Sequence, residues 1–132
     1  MKTSENKETV AVFCGHFEHA AIDEVLDMMT EDATWWVKGR PHLYPGAGIK
    51  TKAEMAQVWA GLYARLEGGL RMRITGMIAE GDRVAAEVRA HAVTRRGQVY
   101  ANDYHLLFEL RDGKVADVRE YTDLMHAAAV FG

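Results

Sequence analysis

Four β-rich runs crowd the second half of the chain, at residues 70–80, 83–94, 98–110 and 114–123, with links of only two or three residues between them. The links are Gly81-Asp82, Arg95-Arg96-Gly97 and Arg111-Asp112-Gly113, all of them turn chemistry. Links this short leave no room for a crossover, so successive strands must run antiparallel as a meander. Such a sheet has to bury one face, and the only other material in the chain is its first half.

That first half reads as helical. Thr3 or Ser4 can cap a helix reaching about His19, with Val10, Phe13, Phe17 and Ala20 on one face. Residues 22–29 continue the same period through Ile22, Val25, Leu26 and Met29. A strand is predicted at 33–38 around Trp35-Trp36-Val37, followed by a loop at 39–50 that holds both prolines. Thr51 and Glu54 form a capping box. The helix it opens carries Met55, Val58, Trp59, Leu62, Tyr63 and Leu66, and Gly68-Gly69 stops it. A short terminal helix can begin at Leu124. Helices first and a meander last is an α+β pattern. We expect residues 1–132 to form one domain, a curved antiparallel sheet wrapped as a cone around the helices with an apolar pocket inside.

Composition narrows the function. Hydrophobic residues make up 48% and charged residues 27%, which argues against disorder and against a membrane partner. The net charge of −3 comes from interspersed signs with no basic stripe, so no nucleic-acid partner is expected. The lone cysteine, Cys14, excludes an internal disulfide and reads as a small buried hydrophobe in a reducing compartment. With no apolar leader ahead of a small-residue cleavage site, a cytoplasmic location is expected. His16 and His19 are spaced like a ligand pair but lack a third partner, so no metal is expected.

Strand alternation assigns faces. In residues 98–110 the aromatic set Tyr100, Asn102, Tyr104, Leu106 and Phe108 belongs inside. In residues 114–123, Ala116, Val118, Glu120 and Thr122 share a face, which would place the ionisable Glu120 on an apolar wall. In residues 83–94 two readings stand. Either the small face Val84, Ala86, Val88, Ala90 and Ala92 is inside with the charges in water, or Glu87, Arg89 and His91 turn inward and the small face covers a partner.

The run Gly97-Gln98-Val99-Tyr100-Ala101-Asn102-Asp103-Tyr104, with Phe108, Gly113-Lys114-Val115 and Arg119-Glu120-Tyr121-Thr122-Asp123, resembles the SnoaL-like branch of the nuclear transport factor 2-like superfamily. Asp32-Ala33-Thr34-Trp35 after the helical hairpin fits as well. The superfamily also contains ketosteroid isomerase and limonene-epoxide hydrolase. The resemblance implies a homodimer through the outer sheet face, and it implies that Glu120 points into the pocket.

Carried over residue by residue, the steroid isomerase base, helix phenol and protonated acid fall on Val37, Phe13 and, within one residue, Tyr104. The first two are chemically lost. The water-holding pair of the epoxide hydrolase falls on Trp35 and Val37, while its strand charges survive in reversed order as Glu87-Val88-Arg89 with Glu120. Three functions therefore stand. The first is a cofactor-free isomerase, cyclase or lyase moving protons on an apolar carbonyl-bearing substrate. Its acid/base would be Glu120, with Arg89 and Glu87 as tuners. The ligand would be lined by Phe13, Phe17, Trp35, Val37, Trp59, Tyr63, Asn102 and Tyr104. The second is a non-catalytic module that captures a small apolar ligand or serves assembly, and the third is an epoxide-hydrolase-like hydrolase. A purely structural cross-strand ion network of Glu87, Arg89 and Glu120 competes with the catalytic roles.

Overall fold

The computed structural model describes residues 2–132. Its elements are, in chain order, α1 (Lys2–Gly15), a 3-10 turn (His16–His19), α2 (Ile22–Asp27), β1 (Met29–Val37), β2 (Gly48–Thr51), α3 (Lys52–Arg65), β3 (Arg71–Glu80), β4 (Arg83–Val93), β5 (Val99–Arg111), β6 (Lys114–Thr122) and α4 (Leu124–Phe131). They form an α+β fold in which one open, curved, six-stranded sheet is ordered β2-β1-β6-β5-β4-β3.

Three expectations need correcting. The sheet is mixed, because β1 pairs with β6 in parallel and only the other neighbours are antiparallel. No hairpin joins β1 to β6, so no local turn dictates their relative direction. The stretch at 39–50 is not all loop: β2 folds back on β1, with Thr34 opposite Thr51 and Val37 opposite Gly48. At the amino end, Thr3 and Ser4 lie inside the first turn of α1 instead of capping it, and α1 hands over to the 3-10 turn after Gly15. Ala20, assigned to the apolar face, is exposed in a left-handed conformation that ends the turn.

The capping box at Thr51 and Glu54 closes in both directions, fixing where α3 departs from the sheet. α1 lies across the inner face with Asn6, Val10, Phe13 and Cys14 buried. Burial pushes the Cys14 thiol up to about 12, so it packs as a neutral hydrophobe. Phe13 meets Phe17 and Phe108 edge-on and stacks on Trp35, and Trp35 in turn meets Trp59 edge-on. This aromatic cluster packs one side of the hollow solid. Gly69 permits its closure, since a Cβ there would run into the carbonyl of Glu18.

β4 follows the first of its two readings throughout. Val84, Ala86, Val88, Ala90 and Ala92 are buried, while Glu87, Arg89 and His91 are exposed on the outer face. β6 is less regular. Leu110 faces Val115 but Glu109 faces Asp117, so Ala116 is an extra residue in the ladder. The bulge lets Val115 and Val118 both bury and restores the alternation that carries Glu120 inward. No helix among the described residues is long and apolar enough to cross a membrane.

Candidate active site

The side chains of Glu120 and its strand neighbours meet a cavity of about 140 Å³. Sheet residues Val37, Tyr100, Tyr104, Glu120 and Thr122 form its wall, Met55, Trp59 and Leu62 of α3 face them, and Tyr44 joins from the loop after β1. Leu124, Ala127 and Phe131 of α4 close it. The lining is mostly apolar with a few convergent polar groups, the usual make-up of a small-molecule site.

α4 is held in place by several local devices. Asp123 caps it, its side chain accepting from the backbone N–H groups of Met125 and His126. His126 Nε2 accepts from the Ala101 N–H at 3.1 Å and its ring stacks on Tyr100. Arg65 donates to the Phe131 carbonyl at 2.8 Å and lies over its ring. Gly39 lets the loop after β1 approach Leu124 so closely that any Cβ would collide with that side chain.

Glu120 sits opposite Leu106 on β5 and beside Val37 on β1. Its Oε1 accepts from the indole Nε1 of Trp35 at 2.9 Å. Burial among apolar walls pushes its carboxyl up to about 7, opposed only by that indole bond. The same burial raises the Tyr104 phenol well above its ordinary value, with the nearby Glu120 charge adding to the effect, and takes Tyr100 to about 12. Their hydroxyls lie 2.7 Å apart. Thr122, two residues past Glu120 on the same face and directly opposite Tyr104, has an enclosed Oγ1 with no hydrogen-bond partner among the described residues. An enclosed hydroxyl without a partner is an unmet polar demand in the wall.

The residues singled out from the sequence divide clearly. Val37, Trp59, Tyr104 and Glu120 line the cavity, and Trp35 stands behind it holding Glu120. Phe13 and Phe17 are filled core and do not line it. Tyr63 also lies elsewhere, its hydroxyl spent on the Phe17 carbonyl at 2.7 Å. Asn102 is buried behind Tyr100, to which it donates at 3.1 Å. The tuning role assigned to Glu87 and Arg89 is overturned. They project from the opposite face of the sheet to Glu120, and Arg89 pairs instead with Asp103 at 3.9 Å. The cross-strand network joining them to Glu120 falls for the same reason, as does an epoxide-hydrolase-like arrangement of those charges.

Sequence reasoning did not single out Tyr44, Tyr100 or the α4 residues as site residues. Tyr100 was within reach, since it shares the inner face of β5 with Tyr104. Tyr44 and α4 arrive through tertiary folding and leave no periodic signal. Among the described residues no three His, Cys, Asp or Glu side chains converge as a metal site.

Fold and site together define a pocket protein in which a curved sheet and helices enclose a mostly apolar cavity with one inward carboxyl. The model of the SnoaL-like domain matches residues 10–118, and the chain belongs to that family. TerC, crystallised with polyporic acid, superposes with a TM-score of 0.81 at 24% identity, covering 96% of this chain and 97% of TerC. Bal32a, from a soil-derived mobile gene cassette, gives 0.85 at 22% identity over 100% of both chains. An NTF2-like protein from Burkholderia pseudomallei gives 0.81 at 16% identity over 96% of each. At these identities the likeness is one of fold. Comparison with curated protein sequences returns no match.

Proposed function

We propose that this chain is a cofactor-free enzyme of the SnoaL-like type that moves a proton on a small, apolar, carbonyl-bearing substrate, with Glu120 as acid/base. The observation that carries the reading is a lone carboxyl, its pKa brought to about 7, in a mostly apolar cavity that Lys50 also lines. A group poised there populates both protonation states near neutrality, where a general acid/base works best. Trp35 fixes the carboxyl's direction, and Tyr104 faces the same space as an orienting hydroxyl. TerC, crystallised with polyporic acid, is a precedent for a small molecule on this fold.

The test is exchange of the protons next to the carbonyl in small ketones dissolved in heavy water, followed by NMR. Wild-type protein should catalyse the exchange, and Glu120→Gln should abolish it. A Glu120 carboxyl titrating near the ordinary 4.5 would overturn the proposal.

One feature favours a second reading, a non-catalytic module that captures a hydrophobic ligand. The cavity is small beside the roughly 300–1,000 Å³ of most ligand pockets. Under that reading ketones bind but no exchange occurs. The outer sheet face carries exposed Ile49, Ile78 and Tyr121, with Trp36 packed edge-on against Tyr121. Such a face fits a second copy of the chain, so a homodimer is expected in sedimentation velocity. A chain whose one cysteine is buried and unpaired fits the reducing cytoplasm.

A further inference from the structure

The buried amide of Asn102 makes three hydrogen bonds whose directions are fixed. Its Oδ1 accepts from the Asp123 N–H at 3.2 Å, and a backbone N–H can only donate. Its Nδ2 must then be the atom facing the Asp123 carbonyl and the Tyr100 hydroxyl, each at 3.1 Å. The Tyr100 oxygen therefore accepts a hydrogen bond from Asn102 and keeps its own proton to give. The Tyr104 hydroxyl, 2.7 Å away, is placed to take it. Among the described residues the Tyr104 hydroxyl has no further partner, and Tyr104 lines the cavity.

We infer that Asn102 sets the direction of this hydroxyl chain, so that Tyr104 offers its proton to the cavity and the site takes ligands through an acceptor oxygen, whether carbonyl, phenolate or enolate. Asn102 touches no ligand and acts as a positioning residue. The same amide holds Asp123, the cap of α4, so closure of the cavity and aiming of its donor depend on one side chain. This rests on the proposed reading only in requiring that the cavity receive a ligand, and it does not require that Glu120 transfer a proton.

The probe is 4-nitrophenol, whose phenolate is yellow, titrated into the full chain near neutral pH, where the phenolate is populated. Binding of the yellow form is the readout. Wild-type protein should bind it, and Tyr104→Phe should weaken that binding about tenfold, the loss of one hydrogen bond to a charged acceptor. Asn102→Asp should cost as much although Tyr104 remains. The new carboxylate accepts from Tyr100, Tyr104 then donates to Tyr100, and the proton is withdrawn from the cavity. Tyr100→Phe leaves Tyr104 free to donate and should cost about threefold or less.

Asn102→Asp also sets a charge that repels the phenolate, so the contrast between the two tyrosine variants is what a merely structural Asn102 does not produce. The inference is overturned if wild-type protein binds no phenolate, if Tyr100→Phe costs as much as Tyr104→Phe, or if folded Asn102→Asp binds like wild type. Should Asn102→Asp not fold, the contrast between the two tyrosine variants still decides. Glu120 titration separates the two ideas. A midpoint near 4.5 with the order intact defeats only the acid/base reading, and a midpoint near 7 with a flat order defeats only the direction of the chain.

Discussion

β4 and β6 lie one strand apart in the same sheet, and each carries a glutamate, yet the two acids have opposite fates. Glu87 projects outward into water while its neighbours Ala86 and Val88 are fully buried. Glu120 projects inward and meets a cavity and an indole N–H. The inner face is thus not uniform. Beneath β4 it is filled by side chains and admits only small apolar groups. Beneath the end of β6 it is open, so a carboxyl can persist there at the cost of a raised pKa. An inward acid is permitted where space and a donor coincide, and the sheet supplies that combination at Glu120.

The comparison breaks most visibly if an acid is forced under β4. Val88→Asp should cost about 4 kcal/mol or more in urea unfolding, since it buries a carboxyl without a partner and leaves a void. The reverse change tests β6. The folded value of about 7 lies above the ordinary 4.5, so over that window the folded chain keeps a proton that the unfolded chain has released. Stability therefore falls as pH rises from 4.5 to 7 and is flat above. Glu120→Gln should remove that fall, stabilising the protein by about 2–3 kcal/mol at about pH 8 and changing it little at about pH 4.

A smaller effect sharpens the role of the donor. Trp35→Phe should move the Glu120 midpoint upward, seen by carboxyl NMR, and cost about 1–2 kcal/mol of stability through the lost bond and ring contacts. The smallest effect belongs to the outer face. Glu87→Gln and Arg89→Gln should each change stability by less than about 0.5 kcal/mol and leave the Glu120 midpoint where it was.

Much of this was legible in the residues because it is local. The turns at Gly81-Asp82 and Arg111-Asp112-Gly113, the capping box at Thr51, and the inward set of β5 follow from spacing alone. Glu120 was legible because alternation from Val118 carries it to the same side. The parallel pairing of β1 with β6 was not, since strands so far apart in sequence share no turn that could set their direction. β2 was hidden because four residues beside two prolines look like loop. The extra residue at Ala116 was hidden as well, because only pairing across to β5 reveals it. The glutamate and arginine of β4 misled for another reason. Their charges matched a family pattern in type, though in reversed order, but a period of two sends them into water, and periodicity was the better guide.

The bond from Trp35 to Glu120 has one more consequence. The chain has three tryptophans, and Trp35 is the one whose ring nitrogen donates to that carboxyl. Its light emission is therefore tied to whether a charge stands on Oε1, and in a variant with Trp36 and Trp59 replaced by phenylalanine the emission spectrum would follow proton loss inside the cavity directly. The fold carries its own optical gauge of the site's charge, with no label attached.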